Sequence, residues 1–328
     1  MSTAESVSAT PSPKAAILAE IKSLGLEKYR QILDEQGYVL IPREIADPDA
    51  LAPRMLERIL EVMEERSGVK PDLEMGSTHA GLKGLNDDPD GDTDSPWGEM
   101  VKSLIHEGRI FEEAMMNPVV LALTTYLCGY SEILSSYSAL VKGPNKSSFY
   151  FHSDTLLPPP WPEHALVCNA TYVLTPFDKE HGSTAFVPGS HKFRRGPSGA
   201  ESDVLRHPDA IAIEAEPGSI FVWHGATWHG AFPRKAPGLR ISTPILFARP
   251  GMRTEEDLFG AMASEVLERN SVRFAYLTQQ GMPYGWKNAA DYEHRGPAAY
   301  ATLERFHAEM GGVPQLNPMA YDEDLIFG

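Results

Sequence analysis

The chain has 328 residues, of which 42% are hydrophobic and 23% charged, a composition typical of a globular protein with a large core. Its formal net charge of −16 disfavours a nucleic acid or an anionic membrane as the main partner, because the negative field repels phosphate groups. The sequence has no apolar run long enough for a membrane span and no leader-like start, so we expect a cytoplasmic protein.

The first part of the chain has helical character. Residues 1–13 are small, polar and proline-containing, and we predict a disordered tail. Apolar residues at three- and four-residue spacing predict two short helices in residues 14–34, interrupted at Gly25, and one helix in residues 49–68. Between these helices, residues 37–42 are typical of a strand.

Short β-prone runs, separated by Gly and Pro, fill the chain from about residue 135 to residue 250. They follow an acidic segment, residues 84–98, that we interpret as a solvated loop. Helical spacing returns after Pro250 and offers a surface for a homo-oligomer contact. We therefore predict a mainly β protein with flanking helices, in which residues 14–328 form a single catalytic domain around a jelly-roll core.

The two cysteines, Cys128 and Cys168, each lie inside an apolar stretch. Two isolated cysteines provide neither a disulfide framework nor a CxxC metal site. The sequence therefore predicts two buried free thiols.

One tripeptide carries a candidate metal site. In FYFHSDTLL, residues 149–157, His152 and Asp154 are two positions apart, and such residues share one face of a strand. A second His-x-Asp tripeptide occurs at residues 207–209, but its central proline indicates a turn rather than a strand. The first tripeptide alone does not define a metal site, which needs a third ligand from elsewhere in the chain.

That third ligand is provided by residues 217–242, PGSIFVWHGATWHGAFPRKAPGLRIS. Two histidines from different strands and one carboxylate form the facial triad that holds iron(II) and leaves coordination positions open. A keto acid such as 2-oxoglutarate fills two of these positions. Arg240, eleven positions after His229, is placed to bind its distal carboxylate, with Ser242 donating a further hydrogen bond.

Three other residues compete for a role. His224 also follows a tryptophan, but the surrounding motif favours His229, and on a continuous strand the two imidazoles would point to opposite faces. We expect His224 to pack in the sheet and His191 to lie in a turn. Lys142 is equally well explained as a solvated residue at a strand end. The aromatic residues of these segments, Trp223 among them, are expected mostly in the core.

The segments FHSDTLL, VPGSHKF, PGSIFVWHG, WHGAFPRK and LRIS resemble the phytanoyl-CoA dioxygenase-like family of iron(II)/2-oxoglutarate-dependent oxygenases. The resemblance extends over roughly residues 30–250. It implies a double-stranded β-helix core of cupin-like shape, with iron bound by His152, Asp154 and His229. It also implies 2-oxoglutarate anchored by Arg240 and Ser242. On the strand after His-x-Asp, the sequence departs from the family pattern and has Asn169 and Thr171.

The resemblance further implies a reaction that uses iron(II), 2-oxoglutarate and O2 and releases succinate and CO2. We expect hydroxylation of a C–H bond in a small organic molecule rather than halogenation, because related halogenases lack the carboxylate that Asp154 provides. Desaturation, epoxidation and ring formation stay open as alternatives, because they start from the same chemistry. No catalytic acid or base beyond the metal ligands is expected. The alternatives are a cupin-like hydrolase or isomerase with another metal at the same ligands, and a non-catalytic binding protein.

Overall fold

The computed structural model describes residues 12–76 and 98–309. Eleven of the thirteen residues of the predicted tail, and all but Gly98 of the predicted acidic loop, lie outside the described residues. Ser12 and Pro13 are described and begin the first helix, where the Ser12 hydroxyl accepts a hydrogen bond from the Ala15 N–H. No helix of the described ranges is both long and apolar enough to cross a membrane.

Helices lie before and after a β-rich centre. They are α1 (Pro13–Ser23), α2 (Glu27–Gln36), α3 (Arg43–Ala46), α4 (Leu51–Ser67), α5 (Arg109–Met115), α6 (Pro118–Cys128), α7 (Ser264–Arg269), α8 (Val272–Leu277) and α9 (Ala289–Glu309). The two predicted N-terminal helices are present, and Gly25 between them has a φ of 68°. The predicted helix over residues 49–68 corresponds to α4.

The strands form two antiparallel sheets. They are β1 (Tyr38–Ile41), β2 (Glu99–Val101), β3 (Ile133–Tyr137), β4 (Ala139–Lys142), β5 (Phe149–His152), β6 (Val167–Val173), β7 (Thr184–Phe186), β8 (Ile211–Ala212), β9 (Ile220–His224), β10 (His229–Ala231) and β11 (Arg240–Ala248). The large sheet has the order β1-β9-β6-β11-β4-β2, with β3 paired to the second half of β11. The small sheet has the order β5-β10-β7-β8. The large sheet therefore includes β1 and β2, which precede the predicted β core.

The large sheet has two faces of different chemistry. Along β6, Cys168, Ala170 and Tyr172 belong to the main hydrophobic core, whereas Asn169 and Thr171 line a cavity on the opposite face. β11 alternates in the same way, because side chains along a strand point to opposite faces in turn. Its residues Ile241, Ile245 and Phe247 belong to the core, and Arg240, Ser242, Pro244 and Leu246 line the cavity.

The core face of the large sheet is covered by helices, chiefly the almost entirely buried α6. α6 begins with Asn117, whose side-chain oxygen accepts a hydrogen bond from the Val119 N–H, followed by proline in the first turn. The Asn117 side chain also donates hydrogen bonds to the Ala46 carbonyl and the Tyr172 hydroxyl. One buried amide therefore joins α3, α6 and β6, and the helical layer holds the large sheet in place behind the cavity.

Candidate metal centre

The two histidines of the predicted triad lie opposite each other in the small sheet. His152 ends β5, His229 begins β10, and the two residues are paired in the antiparallel register. Each ring Nδ1 contacts the backbone carbonyl two residues earlier, at 3.2 Å from Tyr150 and 3.1 Å from Thr227. A carbonyl only accepts, so Nδ1 carries the proton in both rings. Nε2 is therefore the ring nitrogen of each histidine that remains for a metal.

Asp154 reaches the two imidazoles from a bend after β5. Its N–H donates a hydrogen bond to the Gly225 carbonyl at 2.8 Å, and its Oδ1 lies 3.6 Å from Nε2 of His229. The strand ends at His152, so the expectation that both residues share one strand face is wrong. A hydrogen bond to the loop after β9, not alternation along β5, therefore sets the position of Asp154.

The donor atoms of His152, Asp154 and His229 all lie within 4.8 Å of one another. Burial and the neighbouring His229 lower the pKa of His152 to about 4. The imidazole is therefore neutral at neutral pH, the form that binds metal ions. Two imidazole nitrogens and one carboxylate oxygen on one side of a cavity fit an iron(II) ion with open coordination positions.

The second carboxylate oxygen of Asp154 is held by the large sheet. Oδ2 accepts hydrogen bonds from Asn169 Nδ2 at 2.9 Å and from Trp223 Nε1 at 3.1 Å. Asn169 departs from the family pattern at this strand, and the structure places its amide against the carboxylate. Trp223 was one of several aromatic residues expected mostly in the core, with one or two of them at the floor of a substrate pocket. The role of Trp223 depends on the register of β6 with β9, which no local sequence pattern reveals.

Arg240 lies in the wall of the same cavity. It is 2% exposed, and its side chain has no hydrogen bond or ion pair with any residue of the described ranges. The guanidinium lies over the ring of Phe177, 5.1 Å from the centroid. Burial, together with the nearby Arg234, lowers the pKa of Arg240 to about 9. A buried cation without a partner is costly, so the side chain is poised for an anionic ligand. Ser242, also buried, lines the wall one pleat further along β11.

The cavity has a volume of about 440 Å³ and lies between the two sheets. It brings together all five residues that were predicted for metal and co-substrate: His152, Asp154, His229, Arg240 and Ser242. Serine and threonine hydroxyls, aromatic rings and aliphatic side chains form most of the remaining lining. The exposed carboxylate of Glu255 is a further charged group of the lining.

His224 and His191 lie outside this cavity. His224 donates from Nε2 to the Glu163 carbonyl at 3.3 Å and accepts at Nδ1 from the Ala226 N–H at 3.0 Å. His224 and His229 do not lie on one strand. His224 ends β9 in the large sheet, and His229 begins β10 in the small sheet. The premise of a continuous strand is therefore wrong. His191 lies in a short 3-10 turn, as predicted.

Lys142 differs from the expectation of a solvated strand end. It is fully buried, it pairs with Arg240 in the register of β4 with β11, and its Nζ donates a hydrogen bond to the Phe232 carbonyl at 2.8 Å. Lys142 therefore lies beside Arg240 on the neighbouring strand and is not a solvated residue.

A second cluster of potential ligands lies in the core. Cys128 and Cys168 are both buried, as predicted, with their sulfur atoms 3.4 Å apart and Glu132 close by. Burial raises the pKa of the Cys168 thiol well above its usual value, and burial also raises the pKa of Glu132 to about 7. Protonated groups are poor metal ligands. The cluster is therefore a weaker metal site than the histidines and Asp154.

The chain belongs to the phytanoyl-CoA dioxygenase family. The family model for phytanoyl-CoA dioxygenase matches residues 33–242, which is more than half of the chain. The predicted membership in this family of iron(II)/2-oxoglutarate-dependent oxygenases is therefore confirmed.

Curated relatives are similar over a shorter segment. Dioxygenase af480 of Aspergillus fumigatus is 34% identical over 122 residues, which are 36% of this chain and 38% of that protein. Dioxygenase swnH1 of Arthroderma benhamiae is 30% identical over 109 residues, which are 33% of this chain and 34% of that protein. The similarity therefore spans little more than a third of the length of these relatives.

Solved structures share the fold. The non-heme alpha ketoglutarate dependent carbocyclase SnoK from nogalamycin biosynthesis has a TM-score of 0.50 and 18% identity, over 75% of this chain and 90% of its own. HygX from Streptomyces hygroscopicus, solved with nickel and 2-oxoglutarate, has a TM-score of 0.51 and 16% identity, over 75% of this chain and 94% of its own. These similarities confirm the predicted fold class, a jelly-roll core with flanking helices.

Proposed function

We propose that the protein is an iron(II)/2-oxoglutarate-dependent dioxygenase that hydroxylates a C–H bond of a small organic molecule, releasing succinate and CO2. One observation carries the proposal: three metal-binding side chains and an unpaired buried guanidinium line the same cavity. A metal site alone fits many reactions. A metal site together with a free cation fits a co-substrate that binds metal at one end and carries a carboxylate at the other.

The metal ion, when bound, supplies the activation of O2 that the side chains of the chain cannot perform themselves. Nε2 of His152, Nε2 of His229 and Oδ1 of Asp154 hold the ion on one side. Arg240 receives the distal carboxylate of 2-oxoglutarate, and the Ser242 hydroxyl donates a further hydrogen bond to it. Arg240 is buried, and the low dielectric of its surroundings strengthens its interaction with an anion.

The lining of the cavity supports a small substrate. Its volume, about 440 Å³, is within the range of small-molecule sites and also has to accommodate 2-oxoglutarate. An acyl-CoA ester carries phosphate groups that need cations. In the part of the lining that the structure describes, Arg240 is the single Lys or Arg, and it is assigned to the co-substrate. Glu255 adds a negative charge. We therefore propose a neutral or cationic substrate, despite the family name.

The main alternative is a cupin-like hydrolase or isomerase that uses zinc at the same three ligands. Such an enzyme has no need of a buried cation kept without a protein partner. The unpaired state of Arg240 therefore favours the oxygenase.

The proposal is tested by turnover. The 328-residue chain, loaded anaerobically with iron(II), is supplied with 2-oxoglutarate, 18O-labelled O2 and a library of neutral and cationic small molecules. Mass spectrometry should detect succinate, together with a product that carries one labelled oxygen atom. Retention of zinc after treatment with a chelator, with no succinate formed under any condition, would favour the hydrolase or isomerase.

A further inference from the structure

We propose that Asn169 and Trp223 are positioning residues that restrict Asp154 to binding the metal through Oδ1 alone. This inference rests on the proposed function, because it assigns a role toward the metal. It goes beyond the three ligands, since it concerns how one of them is oriented and how many coordination positions it takes.

Two donors meet on one oxygen atom. Asn169 Nδ2 and Trp223 Nε1 lie 2.9 Å and 3.1 Å from Oδ2 of Asp154, whereas Oδ1 faces Nε2 of His229. Two hydrogen bonds occupy the lone-pair directions of Oδ2. This oxygen can therefore bind a metal only if at least one of these hydrogen bonds is broken.

The two donors form one rigid unit. Asn169 on β6 and Trp223 on β9 are directly paired in the large sheet. Both side chains are 5% exposed, so water competes little for their hydrogen bonds. Asp154, in contrast, lies in the bend that follows a strand of the small sheet. Asn169 and Trp223 of the large sheet therefore orient the carboxylate of Asp154, which follows a strand of the small sheet.

Packing fixes the indole of Trp223. Its ring is stacked on Phe221 with 5.4 Å between centroids, and Phe186 contacts it edge-on at 5.7 Å. The same ring lies 5.2 Å from the imidazole of His229. Trp223 therefore contacts two of the three proposed ligands, and its orientation is set by the aromatic cluster rather than by the metal.

The neutrality of the donors matters for the metal. An arginine or lysine at the same place would offset the negative charge of Asp154 and weaken its attraction for a cation. An amide and an indole bind Oδ2 without adding a positive charge beside the carboxylate. Of the six positions of an octahedral ion, three protein atoms leave three, which 2-oxoglutarate and O2 require. A carboxylate bound through both oxygens would remove one of them.

The test compares iron(II) affinity in variants of the 328-residue chain. Asn169→Ala removes the amide, and Trp223→Phe keeps the aromatic stack while it removes the indole N–H. We expect each variant to bind iron(II) about 10- to 100-fold more weakly in anaerobic competition with a chromogenic chelator. The matched controls are Thr171→Val, on the same strand, and Trp161→Phe, which loses an indole hydrogen bond to the Leu157 carbonyl. Both controls should keep the wild-type affinity.

A spectroscopic readout separates orientation from folding. The ligand-field spectrum of cobalt(II) in Asn169→Ala and in Trp223→Phe should differ from that of the wild type, because Asp154 is then free to bind through both oxygens. The controls should reproduce the wild-type spectrum even where their melting temperatures fall. Unchanged iron affinity and unchanged spectra in both variants would overturn the inference. Failure of the wild type itself to bind iron or cobalt would instead refute the proposed function.

Discussion

His152 and His229 are directly paired across two strands of the small sheet, and their ring centroids are 4.2 Å apart. Each ring is held at Nδ1 by a backbone carbonyl, so both Nε2 atoms face the same volume. Backbone pairing therefore places the two proposed nitrogen ligands side by side. This arrangement is the physical basis of the proposed iron site.

The carboxylate of Asp154 provides the first prediction. Asp154→Ala should abolish oxygen uptake coupled to 2-oxoglutarate, because the metal loses its anionic ligand. The variant should still fold, with a loss of about 1–3 kcal/mol because Asn169 and Trp223 lose their acceptor. Oxygen-electrode assays and urea unfolding measure the two effects. Asp209→Ala, in the second His-x-Asp tripeptide, is the control and should behave as the wild type.

Arg240 is the subject of the second prediction. Arg240→Met should weaken 2-oxoglutarate binding by about 1.5–3 kcal/mol through loss of a charge-assisted hydrogen bond, with iron affinity unchanged. The metal-free variant should be at least as stable as the wild type, because an unpaired buried charge has been removed. An anaerobic titration that follows the charge-transfer absorption of the iron complex measures co-substrate affinity. The exposed Arg206→Met is the control, and unchanged 2-oxoglutarate affinity in Arg240→Met would exclude Arg240 from the site.

Local motifs were sufficient to predict residues that meet in the candidate site. His152, Asp154, His229 and Arg240 each lie in a short recognisable segment, and the structure brings them to one cavity. Relationships that depend on the pairing of distant strands could not be predicted. The contact of Trp223 with Asp154 requires the register of β6 with β9, and the burial of Lys142 requires the Phe232 carbonyl.

The same limit applies to the fold. Alternation and turn residues predicted the antiparallel core and its flanking helices. They did not predict that β1, from the helical N-terminal part, pairs with β9 in the large sheet. They also did not reveal that the chain changes sheets between His224 and His229.

The third prediction concerns acid stability. Burial and the neighbouring His191 lower the pKa of His224 to about 3, below the usual value of 6.5. His224 therefore takes up a proton near pH 6.5 in the unfolded chain but not in the folded protein. Above pH 6.5 the buried His224 therefore does not reduce the free energy of unfolding. The free energy of unfolding falls as the pH is lowered from 6.5 toward 3. His191, whose pKa burial lowers to about 4, acts in the same direction.

His224→Gln tests this linkage because the glutamine amide can still donate to the Glu163 carbonyl. Urea unfolding from pH 8 to pH 5 should show a smaller decline in the free energy of unfolding for the variant than for the wild type. Identical declines would mean that His224 is not the group responsible.

The buried thiols provide the fourth prediction. Cys128 and Cys168 should not react with a thiol reagent in the folded protein, because both are buried and burial raises the pKa of Cys168. Both should react in urea. The Cys128→Ser/Cys168→Ser variant should bind as much iron as the wild type. Rapid labelling of the folded protein, or loss of iron in the double variant, would show that the core cluster has a functional role.

The most direct measurement of the central claim is an anomalous difference map at the iron edge, from crystals grown anaerobically with iron(II) and 2-oxoglutarate. A single strong peak should lie between Nε2 of His152, Nε2 of His229 and Oδ1 of Asp154. The electron density of 2-oxoglutarate should end at the guanidinium of Arg240. A peak at Cys128, Glu132 and Cys168, or 2-oxoglutarate bound away from Arg240, would contradict the account.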